Sequence, residues 1–151
     1  MIRKYKIQNS KTMINVKLLS ESATMPTKAH LNDAGWDLYS SVGGEILPGQ
    51  RKLIPTSVSM AIPEGYYGRI ADRSGNAYNS GVHVLAGVVD AGYRNEVKVL
   101  LINLSDKTFE FSQGNRVAQL VITAICSMPL VSVSDLDDTS RGAGGFGSSG
   151  R

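Results

Sequence analysis

Five short stretches of the chain hold residue types that do chemistry on phosphates. In "AGVVDAGYRNEV" an aspartate, Asp90, stands where an apolar run ends, just before Tyr93. A carboxylate fixed at the end of a rigid strand takes a proton from water, as a general base does. The same Asp-Ala-Gly also makes an ordinary turn. The C-terminal "SRGAGGFGSSG" holds five glycines, three serines, Arg141 and Phe146. Its backbone N–H groups can wrap phosphate oxygens, its guanidinium can fork onto a phosphate, and its aromatic ring can stack on a base. The same composition also makes a loose Gly/Ser tail. "DRSGNA" puts Arg73, Ser74 and Gly75 at the start of a short helix, where free N–H groups attract anions. "GNRVAQL" offers Gln119 at a strand edge, and "DAGWDLYS" sets Asp33 and Asp37 around a glycine turn. The Gly-Lys-Ser/Thr of a P-loop is missing. His30 and His83 stand far apart without a Cys/His cluster, which argues against zinc. A participating metal would be Mg²⁺, held mainly by substrate phosphates and water.

The elements that position these residues read as short strands. "INVKLL", "EILPGQRKLIPTSVSMAIPEGYYGRI", "VHVLAGVVD", "EVKVLLIN", "KTFEFSQGNRVAQLVITAI" and "PLVSVSDL" hold short runs of Val, Ile, Leu and Tyr separated by Gly, Pro, Asn, Asp and Ser. That spacing predicts an all-β sandwich or barrel. "LPGQ" and "IPEGYYG" are turns, with proline setting φ and glycine relieving strain. Alternation puts Phe109 and Phe111 on one face of their strand. One helical segment of a turn or two falls within "DRSGNAYNSG" and ends at Gly81. Residues 82–89 read as one strand, apolar on both sides and so buried on both, forming a hairpin with the run at 96–103. From residue 135 the composition turns to Asp, Ser, Thr and Gly, which reads as a mobile tail.

At 151 residues the chain is one domain. Of its 16 basic residues, five lie in the first 20 positions, where there is no acid. The remaining 131 positions hold 11 basic against 13 acidic residues, so the body is not a nucleic-acid-binding surface. No run reaches the roughly 18 apolar residues of a membrane span, and no secretory signal core follows the basic start. Cys126, alone and in an apolar run, reads as a small buried hydrophobe in a reducing, cytoplasmic setting.

Taken in order, "AGWDLYS", "DRSGNA", "AGVVDAGYRNEV", "GNRVAQL" and "RGAGGFGSSG" resemble the five motifs of the trimeric dUTPases, over about residues 24–150. The resemblance implies a jelly-roll-like β-barrel with one short helix and a flexible Gly-rich C-terminal tail. It divides the chain into a basic arm with the first strand (1–23), a barrel (24–134) and a tail closing over a neighbouring active site (135–151). It implies Mg²⁺-dependent hydrolysis of dUTP to dUMP and pyrophosphate in a homotrimer. Each site would take its first, second and fourth motifs from one subunit, the third from another and the fifth from the last. Asp90 would be the general base. Gly87, Val89 and Tyr93 would form the uracil and deoxyribose pocket, with Lys98 as a further candidate. Arg73, Ser74, Gly75 and Gln119 would serve the phosphates, and Asp37 would meet the metal through water. Arg141, Phe146, Gly147 and Ser148 would close over the nucleotide. The enzyme would work in the cytoplasm, or in the host's cytoplasm or nucleus if virus-encoded, with neither membrane nor nucleic acid as partner. Two other readings remain: a dCTP deaminase, for which Glu96 is the nearest glutamate, and a non-catalytic regulatory protein derived from the family.

Four positions depart from the family's usual residues: Asp72 for Pro, Asn76 for an apolar residue, Asn95 for Gly and Asn115 for Asp. A carboxylate beside a triphosphate repels it, so the Asp72 side chain is expected to turn away. Asn95 is expected to adopt a left-handed conformation in its turn.

Overall fold

The computed structural model describes residues 13–145. It is an all-β, jelly-roll-like arrangement of short strands with one helix. The strands are β1 (Asn15–Leu18), β2 (Gly35–Tyr39), β3 (Gly44–Ile46), β4 (Arg51–Ile54), β5 (Val58–Ala61), β6 (Tyr66–Ala71), β7 (Val82–Leu85), β8 (Val88–Val89), β9 (Val99–Asn103), β10 (Phe109–Phe111) and β11 (Arg116–Ala124); the helix is α1 (Ser74–Ser80). A four-stranded sheet runs β2-β11-β6-β8 and a three-stranded sheet β4-β9-β7, with the pairs β1-β5 and β3-β10 beside them. All named ladders are antiparallel, and the sheets do not close into one continuous barrel.

Alternation along the strands supplies the core. Leu38, Ile46, Ile54, Val58, Val97, Val99, Leu101 and Val117 are buried together, and in β9 every second residue points inward. Gly49 and Gly65 take the positive φ expected in the two Pro-Gly turns. The rings of Phe109 and Phe111 stack on one another as the alternation required. Gly81 ends α1 in the left-handed conformation, its N–H returning to the Ala77 carbonyl.

Residues 82–89 are not one strand. Ala86 and Gly87 both have positive φ, 61° and 109°, and the chain changes sheets there. β7 pairs with β9, whereas β8 pairs with β6, so β8 and β9 form no hairpin. Nor is the segment buried on both sides: His83 and Val88 are exposed. Regular alternation had assumed an unbroken pleat, and the break resets the phase.

Three further expectations fail for the same kind of reason, that local composition does not state what packs against it. "PLVSVSDL" forms no strand, and its apolar side chains Leu130, Val131 and Leu136 are exposed. Cys126 is exposed rather than buried. Asn95 is not left-handed; among the described residues only Ser57 and Ala86 have positive φ without being glycine. The basic arm before residue 13 lies outside the described residues.

Candidate functional site

The residues singled out in the sequence gather into two pockets. One, of about 370 Å³, is lined by Asp33, Asp37, Arg73, Ser74, Gly75, Arg116 and Gln119 together with small residues of the 29–35 loop. The other, of about 310 Å³, holds Gly87, Val89, Asp90, Tyr93 and Lys98 against an apolar wall that includes Leu53, Ile70, Leu85 and Leu100. They share no lining residue.

In the first pocket, geometry begins with Asp37 on β2. Its two carboxylate oxygens accept from different guanidinium groups, Oδ1 from Arg73 Nε at 2.9 Å and Oδ2 facing Arg116 Nε at 3.3 Å. The carboxylate is mostly buried, so the charge that holds both arginines is only weakly screened by solvent. Tyr39 lies under the Arg116 guanidinium, 5.9 Å from its ring centre. Ser74 and Gly75 open α1, whose first N–H groups lack partners within the helix. Gln119 is not at a strand edge: it sits in β11 between β2 and β6, opposite Asp37 and Ala71. Its Nε2 donates to the Asp72 carbonyl at 2.7 Å. A Cβ on Gly35 would fall 2.0 Å from Gln119 Oε1, so only glycine leaves the amide its place.

Arg116 was not among the residues chosen from sequence. Three positions apart on a regular strand, Arg116 and Gln119 would point to opposite faces. An irregularity between Arg116 and Ala118 slips the β11–β2 register by one residue. Arg116 then opposes Tyr39 and Gln119 opposes Asp37, which share a face of β2. The only sequence signal was an arginine inside "GNRVAQL". Asn76 helps to seat this strand by donating to the Arg116 carbonyl at 3.0 Å, and Asn115 Oδ1 accepts from Ser112 N–H in the turn before it. Both departures therefore have structural work.

The second pocket is built by backbone. Gly87 gives its carbonyl to Ile70 N–H at 2.7 Å, and a Cβ at Gly87 would come 2.8 Å from the Ile70 oxygen. Only glycine permits that approach at its φ. Asp90 follows β8, exposed at the pocket's rim, and its carbonyl accepts from Tyr93 N–H at 3.0 Å. The Tyr93 hydroxyl donates to the Glu96 carbonyl at 3.0 Å, which pins the ring across the turn. Glu96 itself is committed: Oε1 accepts from Ser57 N–H at 2.7 Å, and Oε2 lies 3.5 Å from Lys98 Nζ.

Arg141 reaches neither pocket; its Nε donates to the Gly144 carbonyl within its own turn. Phe146, Gly147 and Ser148 lie outside the described residues. The Asp72 side chain turns away from the arginine-lined pocket as expected, yet it goes to β7 rather than to open solvent. Oδ1 accepts from Val84 N–H and Oδ2 meets His83 Nδ1, both at 2.6 Å.

Neither pocket is a metal cage. Among the described residues no three His, Cys, Asp or Glu side chains converge. Asp37 spends both oxygens on arginines. A donor set of guanidinium, hydroxyl, amide and helix N–H groups suits anionic oxygens and fits a metal only as one carried by phosphates.

Fold and site together define a jelly-roll-like all-β protein with an arginine-lined polar pocket and a separate, mostly apolar pocket edged by a carboxylate. The family model for dUTPase matches residues 21–150, and the chain belongs to the dUTPase family. It is 50% identical to the deoxyuridine 5'-triphosphate nucleotidohydrolase of Arabidopsis thaliana over 135 residues, 89% of this chain and 81% of that one. Against the enzyme of the same name from Candida albicans it is 43% identical over 152 residues, 99% of this chain and 95% of that one. Among solved structures, a Staphylococcus bacteriophage 80alpha dUTPase variant with dUpNHpp superposes with a TM-score of 0.87 at 30% identity, covering 93% and 99% of the two chains. A variant dUTPase from phage phi11 of S. aureus, described with a coordinated structural Mg(II) ion, gives 0.76 at 30% identity, covering 82% and 97%.

Proposed function

We propose that the chain hydrolyses dUTP to dUMP and pyrophosphate, with the apolar pocket taking the deoxyuridine and the arginine-lined pocket the phosphates. The observation that carries this reading is the pairing of Asp90, which forms no salt bridge among the described residues, with a nucleoside-sized pocket, while Asp37 in the other pocket is occupied by holding arginines. Asp90 accepts a proton from a water, whose oxygen forms the new bond to the α-phosphorus as the bond to the pyrophosphate oxygen breaks. Tyr93, pinned through Glu96, stands against the sugar and leaves no room for a 2′-hydroxyl. Arg73, with Ser74, Gly75 and Gln119, orients the phosphates and offsets their charge. Mg²⁺ bound to the triphosphate supplies further neutralisation of the leaving pyrophosphate. Lys98 borders the base pocket, Asp37 acts chiefly as the brace of the two arginines, and Arg141, Phe146, Gly147 and Ser148 form the closing segment.

The same reading makes the active form a homotrimer with shared sites. Two features favour it: the two pockets of one chain share no wall, and the segment after β11 carries exposed Met128, Leu130, Val131 and Leu136. Exposed apolar runs of this kind ask for a partner surface. Deamination of dCTP is disfavoured because Glu96 has both oxygens engaged.

Pyrophosphate release measured across dUTP, dCTP, dTTP and UTP, with and without Mg²⁺, tests the function. Release from dUTP alone is expected, and ammonia from dCTP would replace the assignment. Light scattering tests the assembly, and a monomer contradicts shared sites.

A further inference from the structure

One residue, Asp72, lies between the two pockets in the chain without lining either. Asp72 lies between the end of β6 and the start of α1, so its neighbours on either side serve different pockets: Ile70 the apolar one, Arg73 and Ser74 the arginine-lined one. Its backbone carbonyl holds the Gln119 amide at 2.7 Å. Its carboxylate accepts Val84 N–H at 2.6 Å on the edge of β7 that β9 leaves free, and meets the His83 imidazole at 2.6 Å. The side chain thus substitutes for a strand partner and ties the three-stranded sheet to the end of β6 in the four-stranded one. The apolar pocket is walled by both sheets, with Ile70, Val88 and Val89 from one and Leu53, Leu85 and Leu100 from the other. Its width therefore depends on that tie, while the placement of Gln119 depends on the same residue's carbonyl.

We propose that Asp72 is a positioning residue that sets both pockets at once: its carboxylate, anchored on Val84 N–H and His83, fixes β7 at the wall of the nucleoside pocket, and the same anchor holds residue 72 itself in place, and with it the carbonyl that binds Gln119 and the adjoining Arg73 at the phosphate pocket. A proline here could supply the carbonyl but neither carboxylate contact. The proposal rests on the reading that the two pockets take the two halves of dUTP. In a trimer with shared sites, Asp72 of each subunit would tune the phosphate half of one site and the nucleoside half of another.

The test uses the full chain with dUMP and inorganic tripolyphosphate as competitive probes of the two halves. Asp72→Ala is expected to raise KM for dUTP about tenfold, with kcat falling less than about threefold, and to weaken both inhibitors at least about threefold. Asp72→Asn keeps an acceptor for Val84 N–H and a polar partner for the His83 imidazole, and should restore all three values to within about threefold of the parent. Should the alanine variant not fold, Asp72→Ser, too short to reach both donors, carries the same comparison. Unchanged inhibition by either probe in the alanine or serine variant overturns the proposal, since Asp72 would then serve one pocket or neither. A loss of thermal stability alone, with both inhibition constants intact, overturns it as well. Failure of the parent chain to hydrolyse dUTP is a different result and strikes the functional reading instead.

Discussion

The arginine-lined pocket is held by side chains, whereas the nucleoside-sized pocket is held by backbone. In the first, one partly buried carboxylate, Asp37, fixes two guanidinium groups, and a register slip in β11 brings Arg116 and Gln119 to one face. In the second, the positive-φ pair Ala86–Gly87 carries the chain from one sheet to the other, and Gly87 approaches Ile70 too closely for any side chain. A triphosphate is flexible and recognised by charge, so paired ions suffice for it. A planar base and a sugar are recognised by shape, and a shape is best cut from a part of the molecule with little rotamer freedom. The contrast predicts that substitutions in the two places injure different properties.

The largest effect belongs to the carboxylate at the rim. Asp90→Asn should lower kcat about a thousandfold while dUMP and tripolyphosphate still bind, as read by single-turnover hydrolysis and competition. Near-normal turnover would place the base elsewhere and remove the chemical distinction between the pockets. Next comes Arg116→Ala, which leaves Asp37 half-paired. Tripolyphosphate affinity should fall about 10- to 100-fold and dUMP affinity by less than about twofold, checked by calorimetry. Equal losses of both would show that the pockets are not separable. Gly87→Ala works in the other direction. The strain and the clash with the Ile70 carbonyl should cost about 1–3 kcal/mol of stability in a urea titration, and should weaken dUMP more than tripolyphosphate. The smallest effect is expected for Lys98→Ala. Lys98 Nζ lies 3.5 Å from Glu96 Oε2 near the surface, and such pairs contribute less than about 1 kcal/mol. A shift in dUMP affinity beyond about fivefold would promote Lys98 from the border of the pocket to a direct contact.

Much of this was legible beforehand, for reasons that differ from place to place. The turns at Gly49 and Gly65 and the end of α1 at Gly81 follow from the conformations that glycine alone takes easily, so sequence locates them. The five motifs were legible because their residue types and order are unusual together, even where each stretch alone read equally well as a turn or a loose tail. Arg116 escaped notice because a bulge leaves no mark in an alternating pattern. Cys126 and "PLVSVSDL" differ from expectation because apolar composition says that a segment seeks burial, not that the rest of the chain provides it. Asp72 was seen as a charge to be kept from phosphate; that it would find Val84 and His83 depended on β7 presenting a free edge beside it.

By itself the sequence determined the all-β class, the short helix and its glycine stop, the family and the residue types at its site. Those depend on side-chain period and local backbone preference, which are properties of neighbouring residues. Only the tertiary structure decided that the site residues of one chain fall into two pockets, that Asp37 is a brace for arginines and that Asp72 bonds Val84 and His83 on one side and Gln119 on the other. Those depend on strand register, on a change of sheet at Ala86–Gly87 and on which edge of β7 is left open. Each is settled by contacts between segments far apart in the chain, and no local pattern encodes them.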